Sequence, residues 1–225
     1  LTIQGNQITL GAMVTQAELV ASKELHELCP LIREVALQIA DPQVRYVGTI
    51  GGNVANGDPA NDMPAIMQTL DATFTVVGPN GERTLQARDF YHGAYYTARE
   101  EGEILSSISF EAPASGHGSA YEKQKRKIGD YATAAAAVVL TMSGGTCTSA
   151  SIGLTNLSEN PLWAEEASSI LVGSTLDRDT VKAAVASAKA ITDPAEDGRG
   201  PAEFRRHVAG VMVERAIAKA QSRAQ

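Results

Sequence analysis

Alternation of apolar and polar residues predicts most of the strands in this chain. The segments with this pattern, or with a short run of β-branched residues, are residues 3–10, 73–77, 83–85, 104–110, 119–127, 138–142 and 148–155. The dipeptide Gly5-Asn6 divides the first segment, and Gly-Pro-Asn-Gly at 78–81 separates the next two. Because these are turn residues, both places predict β-hairpins. A third hairpin is expected at the glycine pair 144–145.

Apolar residues spaced three and four apart predict the helices. Ile32, Val35, Ala36 and Ile39 form one stripe after Pro30, and proline is well suited to the first helical turn. A helix over 30–39 should therefore pack its apolar face inward. The other predicted helices start at a Thr15–Glu18 capping box or cover residues 62–70, 162–171, 179–191 and 201–220.

A proline-, serine- and glycine-containing segment at 113–118 is the best candidate linker. We therefore expect two domains, at 1–115 and 116–225. With 225 residues, 44% of them apolar, the chain can bury a core in each. Its net charge of −7 argues against nucleic acid, whose binding requires a basic face. Cys29 and Cys147 are far apart in the sequence and are expected to be buried small hydrophobes.

The segment 46–58 contains four glycines and has no lysine or arginine. Glycines permit positive φ and close approach of a ligand, so this segment is either an ordinary turn or a cradle for a phosphate. A helix start follows at Asp62-Met63-Pro64, an arrangement that favours anion binding. Asp62 itself is either the N-cap of that helix or an acceptor for ribose or ribityl hydroxyls.

Lys123-Gln124-Lys125-Arg126-Lys127 is a basic run in an acidic chain. In a strand, residues 123, 125 and 127 share one face, and this face is either a solvated edge or a contact for a cofactor or an electron-transfer partner. Tyr131 is either a core aromatic or a ring placed over a flat heterocycle.

Five segments carry a motif combination that is more specific than any one of them. They are IADPQVR at 39–45, TIGGN at 49–53, DPANDMPA at 58–65, KRKIGDYATA at 125–134 and GRGPAE at 198–203. Together they resemble the flavoprotein subunits of the molybdenum hydroxylases. The resemblance implies an α+β fold: the second lobe of a vanillyl-alcohol-oxidase-type FAD-binding domain, then a C-terminal domain with a three-stranded antiparallel sheet and helices. A first FAD-binding lobe is expected to precede Leu1.

The resemblance also implies roles for particular residues. It implies that FAD is bound by Thr49, Ile50, Gly51, Gly52 and Asn53 at the pyrophosphate, by Asp62, by Ile39 near the isoalloxazine, by Tyr131 over one ring face, and by Lys123. It implies neither a catalytic acid or base nor a metal ligand in this chain.

The implied activity is electron transfer within an oxidoreductase complex. A large subunit with a molybdopterin-cytosine-dinucleotide Mo/Cu centre would oxidise carbon monoxide with water. A small subunit with 2Fe-2S clusters would pass electrons to FAD here, and a quinone-type acceptor would take them. We expect a dimer of heterotrimers in the cytoplasm, either free or at the inner membrane face. The residues leave open another molybdenum hydroxylase, acting on xanthine, aldehydes or aromatics, and a non-catalytic assembly module.

Overall fold

Two hydrophobic clusters organise the chain, and the computed structural model describes all residues from 1 to 225. The first cluster lies mainly among residues 8–110 and the second among residues 120–220. However, Tyr121, Ala132, Ala135 and Ala137 belong to the first cluster although they follow the predicted linker. The two halves of the chain therefore share part of one core.

The N-terminal half surrounds a five-stranded antiparallel sheet with strand order β1-β2-β7-β3-β4. Its elements are β1 (Thr2–Gln4), β2 (Gln7–Gly11), α1 (Gln16–Ala21), α2 (Lys23–Leu28), α3 (Pro30–Ala36), α4 (Pro42–Val47), α5 (Ile50–Ala55), α6 (Asp62–Thr69), β3 (Thr73–Gly78), β4 (Gly81–Gln86), β5 (Tyr91–Gly93), β6 (Tyr96–Thr97) and β7 (Ile104–Glu111). The two predicted hairpins, the Thr15–Glu18 capping box and the strand at 104–110 are confirmed.

The C-terminal half has a sheet with strand order β11-β10-β9-β8, covered by three helices. Its elements are β8 (Gly118–Gln124), β9 (Ala134–Ser143), β10 (Thr146–Thr155), β11 (Leu162–Trp163), α7 (Glu165–Leu171), α8 (Arg178–Ala190) and α9 (Ala202–Arg223). The predicted architecture is confirmed: three long antiparallel strands carry the sheet, and β11 adds only two residues at one edge. No helix is long and apolar enough to cross a membrane.

Several predicted elements are shorter than their patterns suggest. The helix from Pro30 ends at Ala36, so Ile39 lies outside it, with its neighbour Ala40 at a positive φ of 42°. The strand predicted at 119–127 stops at Gln124. Helix α7 starts at Glu165, after β11 has used the first predicted residues. In each case an apolar or basic run continues beyond the regular backbone, so its period was a poor guide to its boundary.

Helix α6 joins the two halves because it packs on β10, β9 and β11. At the closest approach, Gly153 of β10 faces Ala65 and Thr69 of α6. A Cβ on Gly153 would lie 2.2 Å from Thr69 Oγ1 and 2.6 Å from the Ala65 carbonyl oxygen. Only glycine allows the strand to approach this helix so closely.

We predict that Gly153→Ala destabilises the protein by about 2 kcal/mol or more, because the added methyl group must displace helix backbone. Gly11→Ala is the matched control, since Gly11 also lies in a strand and a Cβ there would meet nothing within 4 Å. Urea unfolding of both variants measures the effect. Equal stability of the two variants would contradict this account of the junction.

Candidate functional site

The glycine segment is a helix, not the loop expected from its composition. Thr49 is the N-cap of α5, and Gly51, Gly52 and Asn53 lie within the helix. Thr49 initiates it, since its Oγ1 accepts the Gly52 N–H at 3.0 Å. The prediction of an irregular glycine loop was therefore wrong, because the Thr49 cap stabilises the helix by more than the low helix propensity of Gly51 and Gly52 destabilises it.

The backbone amides that were expected to hold a phosphate already donate hydrogen bonds within the protein. The Ile50 N–H donates to the Val14 carbonyl at 2.8 Å, and the Gly51 N–H donates to the Ala12 carbonyl at 2.9 Å. The next amide, that of Gly52, is capped by Thr49. The first turn of α5 thus offers a ligand no unpaired N–H from these three residues, and a backbone cradle is not what this segment forms.

The two adjacent glycines serve different purposes. A Cβ on Gly51 would lie 2.5 Å from the Ala12 Cβ and 2.7 Å from its Cα, so Gly51 allows α5 to pack on the turn after β2. Gly52 is exposed, and the nearest atom to a Cβ there would be Thr49 Oγ1 at 3.0 Å. Gly51 is therefore required by packing, whereas Gly52 keeps a surface open.

That surface is one wall of a cleft with a volume of about 280 Å³. Its lining residues are Gln16, Ile39, Val44, Gly48, Thr49, Gly52, Asn53, Asn56 and Asn61. Four of the predicted site residues, Ile39, Thr49, Gly52 and Asn53, thus border one cavity. Ile50 and Gly51 do not line it and are buried in the protein.

Unpartnered polar atoms face this region. Gln16 is buried, yet neither its amide nitrogen nor its amide oxygen has a hydrogen-bond partner, and Asn53 Oδ1 is also buried without one. Buried polar atoms without partners are rare and call for a ligand or water. With Asn56 and Asn61, these side chains offer neutral donors and acceptors. They suit the phosphate oxygens and hydroxyls of a dinucleotide, so the residues fit part of FAD.

A buried polar cluster lies next to the cleft, at the start of α6. Asp62 is the first residue of that helix and Asn61 is the N-cap, so the N-cap role expected for Asp62 was wrong. Its carboxylate accepts the Tyr121 hydroxyl at 2.5 Å and the Lys123 ammonium at 2.7 Å, one on each oxygen. The Asp62 and Lys123 side chains are only 4% and 1% exposed. The acid comes from one half of the chain and both donors from the other.

Burial sets the protonation tendencies of this cluster. It raises the pKa of Asp62, and the Lys123 ammonium and the Tyr121 hydroxyl offset that only in part. Burial and the nearby Asp62 carboxylate raise the pKa of Tyr121 well above its usual value, so the hydroxyl keeps its proton and donates. The hydroxyl also lies 3.4 Å from Thr155 Oγ1.

Lys123 is the member of the basic run that the strand places inside. It pairs with Ala135 in the β8–β9 ladder, and its buried ammonium rules out the solvated-edge alternative for this residue. Because β8 ends at Gln124, the common face expected for residues 123, 125 and 127 does not exist. Burial lowers the pKa of Lys125, and the Lys123 charge lowers it further.

Tyr131 lies on the loop that follows β8, and its side chain is 45% exposed. Asp130 shapes this loop, because its carboxylate accepts the Tyr131 N–H at 2.8 Å and the Arg126 Nε–H at 3.0 Å. Arg199 lies 3.8 Å from Asp130 and 5.8 Å from the centre of the Tyr131 ring. The phenol is therefore partly exposed and has the Arg199 guanidinium over its ring, and this exposure excludes the core-aromatic alternative.

The Tyr131 hydroxyl lies within electrostatic reach of the α6 start. Burial raises its pKa, and the carboxylates of Asp58 and Asp62 raise it further. The structure thus gathers the predicted residues into a cleft, a buried ion pair beside it and a neighbouring aromatic loop. Their contacts with FAD stay predictions.

Sequence reasoning missed Gln16, Asn61 and Tyr121. Gln16 follows the N-cap of α1 and reads as a surface residue, but the Thr15–Thr49 bridge brings it to the cleft. Asn61 donates to the Asn53 carbonyl at 2.8 Å, a contact without a sequence signal. Tyr121 is two residues before Lys123 in the predicted strand, so both side chains lie on the same face. This shared face could have indicated that Tyr121 belongs to the site.

Comparisons with known proteins divide the chain in two. Residues 1–113 match the family described as "FAD binding domain in molybdopterin dehydrogenase". Residues 119–220 match the "CO dehydrogenase flavoprotein C-terminal domain".

Individual proteins and solved structures that are similar to this chain belong to the same kind of enzyme. The chain is 61% identical to the carbon monoxide dehydrogenase medium chain of Afipia carboxidovorans, over 98% of this chain and 77% of that one. The structure of reconstituted CO dehydrogenase from Oligotropha carboxidovorans matches with a TM-score of 0.97 and 61% identity, covering 98% of this chain and 77% of that one. Quinoline 2-oxidoreductase from Pseudomonas putida 86 matches with a TM-score of 0.92 and 32% identity, covering 98% and 77%.

We predict that Lys123→Met costs about 3 kcal/mol of stability at about pH 7.5, because it leaves the Asp62 carboxylate buried without a cation. The folded-state pKa of Asp62 then rises further above its unfolded value. The full loss is present above that raised pKa, and it shrinks as acid protonates Asp62. Urea unfolding at about pH 7.5 and about pH 5 measures the difference.

Lys127→Met is the control and should change stability by less than about 0.5 kcal/mol, since Lys127 is exposed. Adding Asp62→Asn to Lys123→Met should recover part of the loss. A loss that stays constant with pH would show that the ion pair is not its cause.

Proposed function

Because this chain belongs to the FAD-binding flavoprotein subunits of the molybdopterin dehydrogenases, we propose that it carries the flavin of a carbon monoxide dehydrogenase. The proposal that carbon monoxide is the substrate rests on sequence identity. The chain is 61% identical to a carbon monoxide dehydrogenase medium chain and 32% identical to quinoline 2-oxidoreductase. The high TM-score of the second protein indicates that this fold does not itself select the reducing substrate. That choice belongs to a large molybdenum-containing partner.

Bound FAD would supply the redox chemistry, accepting electrons from an iron–sulfur partner and releasing them to an acceptor. The protein's own work is to bind and orient it. Asn53, Gln16 and the Thr49 hydroxyl would hydrogen-bond the phosphate and sugar part, and the exposed backbone at Gly52 would let that part approach α5. Ile39 would contribute an apolar contact at the far side of the same cleft.

The buried Asp62–Lys123 pair would hold the start of α6 against β8, next to the cleft. Both carboxylate oxygens already accept a protein donor, so a ligand hydroxyl can reach Asp62 only through its remaining lone pairs. Tyr131, exposed on its loop, is available to cover a flat ring. In this proposal the chain supplies no catalytic acid or base.

The assembly follows from the same proposal. The partners would be a small subunit with 2Fe-2S clusters and a large subunit with the Mo/Cu centre, arranged as a dimer of heterotrimers. A quinone would be the acceptor, and the complex would lie in the cytoplasm or against the inner membrane face. If the chain were a non-catalytic assembly module instead, the unpartnered Gln16 and Asn53 side chains would need water, and not a ligand, as their hydrogen-bond partner.

The proposal predicts that carbon monoxide bleaches flavin absorbance in the complex assembled from this chain with its partner subunits, under anaerobic conditions. Quinoline and xanthine serve as comparison substrates. Bleaching by one of these and not by carbon monoxide would assign the chain to another molybdenum hydroxylase. A complex without flavin would contradict both.

We also predict that Gly52→Val lowers the flavin content of the complex at least about tenfold, equivalent to ~1.4 kcal/mol, because the side chain enters the cleft. Gly93→Val is the matched control, since a Cβ there would meet only the Tyr96 Cβ, at 3.8 Å, away from the cleft. Flavin absorbance per protein measures flavin retention, and the melting temperature measures folding.

Gly51→Val is unsuitable for this test, because it disrupts packing on Ala12. Wild-type flavin content in Gly52→Val would refute this role.

A further inference from the structure

The turn between α3 and α4 holds a residue in an unfavourable conformation. Ala40 has φ of 42°, in the left-handed region that L-residues other than Gly, Asn and Asp seldom occupy. Such a backbone conformation is unfavourable and persists only where its surroundings enforce it. Its neighbour Ile39 borders the cleft, so the strained residue lies immediately beside the candidate site.

Arg45 is the group that enforces this turn. Its Nη1 donates to the Ile39 carbonyl at 2.7 Å and to the Ala40 carbonyl at 3.3 Å. Helix α4, which carries Arg45, has no buried residue, and the Asp41 carboxylate caps it through the Val44 N–H at 2.9 Å. The helix thus places no side chain in the core; it packs on α1, borders the cleft with Val44 and supplies the Arg45 guanidinium to the turn.

The clamped turn supports the loop that carries Tyr131. Gly129 has φ of 79°, and a Cβ on it would lie 2.9 Å from the Ala40 carbonyl oxygen. The loop backbone therefore rests directly on the carbonyl that Arg45 holds. From Gly129 the chain passes through Asp130, which fixes the Tyr131 amide.

We propose that Arg45 is a positioning residue that acts through Ala40 and Gly129 to hold Ile39 and Tyr131 in their relative places beside the cleft. The mechanical link stands on the contacts in this chain alone. Its consequence for the flavin rests on the function proposed above, in which Ile39 and Tyr131 both lie near the ring.

The first test needs no flavin. Lys125, Arg126 and Lys127 are trypsin sites at the base of the Tyr131 loop, and cleavage there reports how firmly the loop is held. In the full complex stripped of flavin, Arg45→Ala should raise the cleavage rate at these sites about tenfold, corresponding to ~1.4 kcal/mol of lost support. Arg45→Lys, with a single ammonium for two carbonyls, should fall between Arg45→Ala and the unmodified protein.

Arg33→Ala is the matched control, because Arg33 also holds a backbone carbonyl, that of Val20 at 3.2 Å, whereas the loop backbone at Gly129 rests on the Ala40 carbonyl. Its cleavage rate at residues 125–127 should equal that of the unmodified protein. Arg45→Lys serves as the second variant if Arg45→Ala fails to fold. An unchanged rate in Arg45→Ala, or in Arg45→Lys where Arg45→Ala does not fold, would overturn the proposal.

The second test uses the flavin-loaded complex. Tyr131→Ala should shift the flavin reduction potential, and Arg45→Ala should shift it in the same direction. The double variant should show less than the sum of the two shifts, since both act through one ring. Faster cleavage with unchanged potentials would support the clamp and overturn the placement of Tyr131 at the flavin. Additive shifts would overturn the path from Arg45 to Tyr131.

Discussion

The buried contact between Asp62 and Lys123 joins the two halves of this protein, and the site beside it depends on that contact. One carboxylate at the start of α6 receives an ammonium and a phenol from β8. Both charged side chains are removed from water, so neither tolerates loss of the other. A small relative movement of the halves would break both hydrogen bonds together. The two bonds are therefore formed only when α6 is correctly packed against the C-terminal sheet.

Packing around the pair supports the same arrangement. Tyr121 belongs to the hydrophobic cluster of the N-terminal half although it lies on a strand of the C-terminal half. Farther along α9, Lys219 and Arg223 reach Glu34 on α3, with Lys219 at 2.8 Å from its Oε1. Burial would raise the pKa of Glu34, but the hydrogen bonds from Lys219 and Arg223 outweigh it and lower the pKa. The halves are thus linked by a second set of ion pairs, between α9 and α3.

The sequence was a reliable guide where the signal was local and periodic. The hairpins, the capping box and the long strands followed from turn residues and alternation. It was a poor guide where a tertiary contact decides the conformation. The TIGGN segment looked irregular because glycine disfavours helices, yet Thr49 caps it and Gly51 packs on Ala12. Asp62 looked like an N-cap because its charged partner lies 61 residues away.

The cleft is lined by neutral residues only. Its lining consists of amides, a hydroxyl, glycines and aliphatic groups, with no acid, base or cation among them. No lining side chain changes its charge between about pH 4 and about pH 10. Attraction between neutral dipoles and a ligand is also little screened by added ions, unlike that between opposite charges. The lining itself would therefore hold a ligand by shape and hydrogen bonding, and its side chains would add no pH-dependent charge of their own.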